Sequence, residues 1–261
     1  MPDFLRANGR LHHYRFRKGT GDTNLVLVNS LGTDLRTWDA VLSHLPDDLS
    51  VLSYDKSGHG LSECGATTTD EFAADLESLM EILGINSALV CGVSFGGMIA
   101  QALAAKRPNL VQSLVLSNTG LRIGTPETWS ERIEVLRQHG LAPMADAILE
   151  RWFAPAFRNR YPDTTFAYRM MLTRTPTEGY MQVCDAIRTA DLSVTSAQIT
   201  CPTLCIAGSE DLATPPATVR LMTDVIQGSQ FKCYDGVGHL PCIEAPDRFA
   251  KDLLIHAGYL K

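Results

Sequence analysis

Short apolar runs recur along the first half of the chain, and stretches with helical periodicity separate them. The run at residues 25–29 (LVLVN) is apolar on both faces, which is typical of a buried strand. Similar runs follow at 49–54, 88–92 and 113–117, and again at 203–207 and 231–234. A more polar run at 11–16 predicts an early antiparallel strand. Strands that alternate with helices predict an α/β fold with a mostly parallel sheet.

Helical periodicity is clearest at residues 69–83, where several apolar side chains fall on one face: Phe72, Leu76, Leu79, Met80 and Leu83. Thr68 and Glu71 fit a capping box before this helix, and Gly84 can end it. A second helix is predicted at 95–106, with Pro108 just beyond it, and a last one at 246–257.

The pattern changes between residues 126 and 191, where no strand-like run occurs. Helical stretches at 129–138 and 143–153 dominate this part, with Gly, Pro and Thr residues between them. We therefore predict a helical cap at residues 120–195, inserted into a core formed by residues 1–119 and 196–261.

Composition places the chain among ordinary globular proteins. It has 261 residues, 45% of them hydrophobic and 20% charged, with a net charge of −6. A nucleic-acid-binding protein would more often be basic, so no nucleic-acid partner is expected. The N-terminus does not resemble a signal peptide, and no apolar run approaches the ~18 residues of a spanning helix, so we expect no membrane association and a cytoplasmic location.

The seven cysteines do not suggest a metal site or a disulfide framework, because their number is odd and their spacing is scattered. They are interpreted as free, mostly buried thiols. Neither a metal nor an organic cofactor is expected.

The strongest chemical signal is the motif GVSFG at residues 92–96, which directly follows a predicted strand and precedes a predicted helix. This context predicts a sharp turn that lifts the hydroxyl of Ser94 above the sheet as a nucleophile. Glycines are required beside such a turn because the backbone is strained and crowded.

A serine nucleophile needs a base and an orienting acid, which in this kind of fold follow in the order Ser, Asp or Glu, His. Asp211 follows the strand at 203–207 and is the candidate for the acid, and Glu210 is the alternative. His239 follows the last predicted strand, and His59 is its rival but precedes the serine. Catalytic groups of open α/β sheets lie beyond the carboxyl ends of strands. We therefore predict Ser94, Asp211 and His239 as the catalytic residues.

Acyl transfer also needs N–H donors for the oxyanion. The amide of Phe95, directly after the nucleophile, is one candidate. The amide of Leu31, in the loop that follows the strand at 25–29, is the other.

The whole chain resembles the α/β-hydrolases, and among them the 3-oxoadipate enol-lactonases. Motifs shared with the broad family are VLVNSLGT, YDKSGHGLS, GVSFGG, LCIAGSEDLATP and GHLPCIEAP. NSLGTD at 29–34, SNTGLRIGTPETW at 117–129, RWF at 151–153 and DLATP at 211–215 are closer to the enol-lactonases. Ser57 stands where the family usually has arginine, and Phe95 stands where Met or Ile is common, a change that can alter the acyl pocket.

The resemblance implies an eight-stranded α/β-hydrolase fold with a helical cap, the same catalytic residues, and hydrolysis of an enol-lactone that bears a carboxymethyl arm. The substrate carboxylate then needs a partner. Arg122 and Trp129 are the candidates, and Trp152 and Arg151 are weaker ones. The expected partner is a small lactone or ester, and a homo-oligomer remains open.

Other functions share this pattern. A general esterase, a perhydrolase or a carbon–carbon bond hydrolase would use the same three residues, and a non-catalytic ligand sensor could keep them. Dehalogenases and epoxide hydrolases are disfavoured, because in this fold they carry a carboxylate where Ser94 stands.

Overall fold

The computed structural model describes residues 3–260, in which eight strands form one sheet. The strands are β1 (Asp3–Ala7), β2 (Arg10–Arg17), β3 (Asn24–Val28), β4 (Ser50–Tyr54), β5 (Ala88–Val93), β6 (Val111–Ser117), β7 (Thr203–Gly208) and β8 (Gln230–Tyr234). Their order across the sheet is β1-β2-β4-β3-β5-β6-β7-β8. β2 pairs antiparallel with β1 and β4, whereas the pairs from β4 to β8 are parallel.

Every predicted strand is confirmed within one or two residues, and the prediction of an antiparallel strand at 11–16 corresponds to β2. The pattern did not predict β1, which is short and carries exposed polar residues. A local signal for it exists: Asn8 and Gly9 have φ angles of 48° and 81°, and they join β1 to β2 as a two-residue hairpin turn.

Strand order also locates the centre of the fold. β3 lies between β4 and β5 in the sheet: the chain passes from β3 to its neighbour on one edge, β4, and later to its neighbour on the other edge, β5. A crevice forms where successive connections leave in opposite directions, beyond the carboxyl ends of the strands. The loops after β3 and β5 therefore meet at this crevice.

Twelve α-helices lie within the described residues. They are α1 (Asp39–Leu42), α2 (Thr69–Ile82), α3 (Phe95–Lys106), α4 (Pro126–His139), α5 (Ala145–Trp152), α6 (Pro155–Arg160), α7 (Pro162–Thr173), α8 (Thr177–Thr189), α9 (Ser193–Ser196), α10 (Pro216–Val225), α11 (Pro241–Glu244) and α12 (Pro246–His256). Two 3-10 helices, Leu35–Trp38 and Ala142–Met144, precede α1 and α5.

The helix predictions are confirmed, with one difference in form. The capping box is present, since Thr68 accepts from the Glu71 amide and the Glu71 side chain accepts from the Thr68 amide. The stretch predicted as one helix at 143–153 begins as a 3-10 turn and continues as α5. Outside the segment between β6 and β7, the helices α1, α10 and α11 were not predicted.

The core lies on both faces of the sheet. Every residue of β4, β5 and β7 is buried, and in β3 only the first residue is not. Because alternate residues of a strand point to opposite faces, burial of all of them means that helices cover both sides. α2 packs against α3 and α1 packs against α12. No helix in the described part of the chain is long and apolar enough to cross a membrane.

Helices α4 to α9 occupy the chain between β6 and β7. The division into a cap at 120–195 and a core at 1–119 and 196–261 stays a prediction, and its ends at residues 1, 2 and 261 lie outside the described residues.

Candidate active site

Ser94 occupies the sharp turn between β5 and α3. Its φ of 57° and ψ of −121° are rarely adopted by residues other than glycine. Its backbone N–H donates to the carbonyl of Ser117 at 2.9 Å. A Cβ atom at Gly92 would lie 2.2 Å from the Gly96 carbonyl oxygen, and one at Gly96 would lie 2.1 Å from that of Val28. The turn therefore requires glycine at both positions, which is the physical basis of the motif.

Asp211 and His239 form a buried pair at the ends of β7 and β8. Asp211 Oδ2 lies 2.8 Å from His239 Nδ1, and the two side chains are 0% and 2% exposed. Because Nδ1 faces the carboxylate, it carries the proton, and Nε2 is the ring nitrogen left to act as a base.

Several donors hold Asp211 in its charged form. Oδ1 accepts from the amides of Ala213 and Thr214 at 2.7 and 2.9 Å. Oδ2 also accepts from the Thr214 hydroxyl at 2.7 Å and from Asn118 Nδ2 at 2.9 Å. Burial alone would raise the pKa of Asp211, but His239 and these hydrogen bonds outweigh it and lower that pKa to about 2. Sequence analysis missed Asn118, although it directly follows β6 and has a positive φ of 48°.

A cavity of about 270 Å³ lies where the carboxyl ends of the strands meet α4, α5 and α8. Ser94 and His239 both line it, so the structure brings the predicted nucleophile and base to one space. Among the described residues, Ser94 Oγ and His239 do not form a hydrogen bond; such contacts often tighten only when substrate is bound. The other lining residues are Ser30, Leu31, Ile123, Gly124, Thr128, Trp129, Arg132, Ile148, Arg151, Trp152, Tyr180, Ile187 and Ala213.

One predicted oxyanion donor, Leu31, lines the same cavity as Ser94, and the other, Phe95, follows Ser94 in the chain. Leu31 lines the cavity from the loop after β3. Phe95 is the first residue of α3, where the helix dipole favours negative charge. Within residues 3–260, neither amide donates to another protein group. The Phe95 ring does not line the cavity and packs edge-on against Phe72, with ring centroids 5.0 Å apart.

The rivals of the predicted acid and base lie elsewhere. Glu210 is exposed to solvent. His59 is buried, and its Nε2 accepts from the Gly32 amide at 3.0 Å. Burial and the charge of Lys56 lower the pKa of His59 well below its usual range. His59 is therefore a neutral acceptor that holds the loop after β3.

The candidate substrate-binding residues differ in whether they line the cavity. Trp129 and Trp152 line the cavity, but the indole N–H of Trp129 donates to the Ile123 carbonyl at 2.5 Å, so Trp129 offers the cavity an apolar wall and no donor. The interpretation of Arg122 as the carboxylate partner needs correction. Its side chain is 61% exposed and is ion-paired with Asp191, outside the cavity.

Two other arginines take the place expected for Arg122. Arg132 on α4 and Arg151 on α5 both line the cavity. The guanidinium of Arg132 lies 4.9 Å above the ring of Trp129. Sequence analysis named Arg151 only as a weaker candidate and missed Arg132. The helical spacing from Trp129 to Arg132, three residues on one face, could have indicated it.

The loop that carries His239 is hydrogen-bonded to the chain at the end of α5. The His239 amide donates to the Trp152 carbonyl at 2.8 Å. Glu244 accepts from the amides of Gly238 and Ala154, at 2.9 and 3.2 Å. The loop of the predicted base is therefore held against the chain at the end of α5.

All seven cysteines are free, as expected, and four of them are buried. Cavity-lining residues include no cysteine. In the part of the chain that the structure describes, no group of His, Cys, Asp and Glu side chains is suited to a metal ion.

Comparisons with known proteins agree with this architecture. The sequence profile described as "alpha/beta hydrolase fold" matches residues 23–246. 3-Oxoadipate enol-lactonase 2 of Acinetobacter baylyi is 32% identical over 86% of this chain and 85% of its own length. 3-Oxoadipate enol-lactonase 1 of the same organism is 33% identical over 91% and 88%. The crystal structure of the enol-lactonase from Burkholderia xenovorans LB400 superposes with a TM-score of 0.94 at 36% identity, and covers 98% of this chain and 100% of that one.

Proposed function

The chain belongs to the α/β-hydrolase fold family, and on that basis we propose that it is a serine hydrolase that opens a small carboxylated enol-lactone. The proposed substrate is 3-oxoadipate enol-lactone, and the proposed product is 3-oxoadipate. Relatives named as enol-lactonases, at about a third identity over most of the chain, support this substrate class.

The observation that carries the substrate class is a pair of uncompensated arginines. Arg132 and Arg151 line the cavity, and within residues 3–260 neither forms an ion pair. By contrast, Arg122 and Arg188, which do not line the cavity, are each paired with an aspartate. Burial and the nearby charge of Arg132 lower the pKa of Arg151, but a guanidinium stays protonated. A carboxylate on the substrate would neutralise one of the two positive charges and could accept charge-assisted hydrogen bonds from both guanidinium groups.

The first half of the proposed reaction forms an acyl-enzyme. His239 Nε2 takes the proton from Ser94 Oγ while this oxygen attacks the lactone carbonyl carbon. The resulting oxyanion is stabilised by the amides of Leu31 and Phe95, which lack other acceptors among the described residues. Asp211, held in its charged form, stabilises the imidazolium.

Collapse of this intermediate breaks the ring bond between the carbonyl carbon and the enol oxygen. The proton on His239 passes to the departing enol oxygen, and the enol becomes a ketone, which makes ring closure unfavourable. Water then attacks the acyl-enzyme with His239 again as the base, and Ser94 is released with its proton restored. All electron pairs move between substrate, water and these side chains, so the cycle needs no cofactor.

The decisive experiment measures consumption of the enol-lactone by its ultraviolet absorbance with the purified protein. We expect turnover by the wild type and a loss of at least about 10⁴-fold in Ser94→Ala. A fluorescent fluorophosphonate should label the wild type and leave Ser94→Ala unlabelled.

Simple aryl esters separate this function from its rivals. Rapid turnover of p-nitrophenyl acetate without turnover of the lactone would replace the proposed substrate by that of a general esterase. A wild type that the fluorophosphonate does not label would contradict the serine mechanism itself.

A further inference from the structure

Lys56 is an unusual residue for the interior of a protein. It lies in the loop after β4, its exposure is 0%, and the proposed reaction does not use it. Its Nζ donates to two backbone carbonyls, those of Ser30 at 2.5 Å and Thr33 at 3.1 Å. Removing an ammonium group from water is costly, so these contacts need an explanation.

Both carbonyls belong to the loop after β3, which also contains the proposed oxyanion donor. The carbonyl of Ser30 and the amide of Leu31 are the two ends of one peptide unit, and none of the described peptide bonds is cis. In a planar trans peptide the C=O and the N–H point in opposite directions. The Ser30 oxygen also accepts from the hydroxyl and the amide of Thr33, at 2.9 and 3.3 Å, but these donors belong to the same loop. Lys56 is the donor from another loop, so it fixes the direction of the Leu31 N–H relative to the rest of the fold.

The directions agree with this arrangement. Ser30 and Leu31 line the cavity, whereas Lys56 does not. The ammonium of Lys56 thus binds the Ser30 oxygen from outside the cavity, and the Leu31 N–H at the other end of the peptide unit points away from Lys56. The neighbouring amide of Gly32 is already bonded to His59 Nε2 at 3.0 Å. A cation on the carbonyl oxygen also polarises the peptide and makes its N–H a stronger donor.

We propose that Lys56 is a positioning residue of the oxyanion site, which holds the Ser30–Leu31 peptide so that the Leu31 amide points at the developing negative charge. This inference rests on the proposed serine-hydrolase function.

The environment of Lys56 gives the proposal a pH signature. Burial lowers the pKa of Lys56 to about 7, although Asp55 and Asp34 oppose the shift. His59, the other titratable group close to it, is neutral because burial and Lys56 itself lower the His59 pKa. As the pH rises above about 7, Lys56 loses its charge, and its hydrogen bond to the Ser30 carbonyl weakens. We expect kcat to fall on this alkaline side.

The test uses Lys56→Met, which keeps the length of the side chain but removes its donors and charge. We measure the rate of labelling by a fluorophosphonate, and kcat and KM on the ester or lactone that the wild type turns over. The labelling rate and kcat should fall roughly 10- to 100-fold, less than or equal to the loss of one oxyanion donor, while KM changes less than about threefold. Lys251→Met, an exposed lysine on α12, is the matched control and should behave as the wild type.

Lys56→Arg tests the pH dependence of kcat, which a purely structural role of Lys56 would not change. It should recover part of kcat and lose the alkaline fall in activity, because arginine stays charged. If Lys56→Met does not fold, Lys56→Arg decides: a folded Lys56→Arg protein that keeps the same alkaline fall in kcat as the wild type would overturn the proposal. A folded Lys56→Met protein that is labelled at the wild-type rate would overturn it while leaving the proposed function intact. A wild type that is not labelled overturns both.

Discussion

At the scale of single residues, the selectivity of the cavity depends on which arginines reach it. Arg132 and Arg151 come from successive helices of the segment between β6 and β7, and both line the same space. Arg122 is closer in sequence to the end of β6, but Asp191 holds it on the surface. Arg132 is half-buried and Arg151 is more exposed, and neither has an ion-pair partner among the described residues, so both are free to bind the anionic ligand that we propose.

We expect Arg132→Gln and Arg151→Gln to weaken the use of carboxylated substrates specifically. A hydrogen bond to a charged group contributes about 1.5–3 kcal/mol, so kcat/KM for the lactone should fall roughly 10- to 100-fold in each variant. For a neutral aryl ester, kcat/KM should stay within about threefold. Steady-state kinetics on the two substrates measures this difference.

Arg122→Gln is the matched control, because its partner Asp191 lies outside the cavity lining. It should leave both substrates unaffected. An equal loss on the lactone and the neutral ester in the Arg132 and Arg151 variants would show that these arginines shape the cavity and do not select the anion.

At the scale of secondary-structure elements, the position of the predicted nucleophile depends on how α3 is packed. This helix begins at Phe95, directly after Ser94, and α2 packs against it. α2 is in turn fixed at its start by the Thr68–Glu71 capping box. The stability of α2 therefore supports the turn without any contact with the cavity.

Thr68→Ala should lower the free energy of unfolding by about 1 kcal/mol, because the Glu71 amide loses its acceptor. Chemical denaturation measures the change, and kcat should stay at the wild-type value. Ser130→Ala, at an exposed position inside α4, removes a hydroxyl that donates to the Pro126 carbonyl but caps no amide, and it should leave the free energy of unfolding unchanged or slightly higher. A loss of equal size in both variants would argue against the capping role.

At the scale of the whole molecule, Glu244 joins the loop of His239 to the segment between β6 and β7. One carboxylate oxygen accepts from Gly238, next to the predicted base, and the other accepts from Ala154, which follows α5. Burial raises the pKa of Glu244 to about 7, although these two amides favour its charged form. Its ionisation is therefore coupled to the folding of the entire chain.

The sign of this coupling gives a prediction. Between the ordinary glutamate pKa of 4.5 and about 7, the native state holds a proton that the unfolded state has released. Stability from this group is therefore present at low pH and is lost as the pH rises through that window, by on the order of 2–3 kcal/mol. Denaturation curves at several pH values should show this fall in the wild type and a smaller one in Glu244→Gln.

The exposed Glu210 supplies the control for that comparison, since Glu210→Gln should keep the pH dependence of the wild type. Identical slopes in the wild type and Glu244→Gln would mean that Glu244 does not bind a proton in this range.

The sequence by itself determined most of the framework. Periodicity predicted seven of the eight strands and the helix that begins at Phe95, because burial on a sheet or helix imposes a short-range repeat on the chain. The sequence also placed Ser94, Asp211 and His239 after three different strands, and parallel strands bring their carboxyl ends to one edge of the sheet. The 2.8 Å contact between Asp211 and His239 agrees with that expectation.

Only the tertiary structure decided what surrounds those residues. Whether Arg122 or Arg132 faces the cavity depends on how the helices between β6 and β7 pack and on a partner at position 191. The contacts of Lys56 with Ser30, and of Glu244 with Ala154, join residues 26 and 90 positions apart. No local repeat specifies such contacts, because they follow from the packing of loops and helices whose path is set by the rest of the fold.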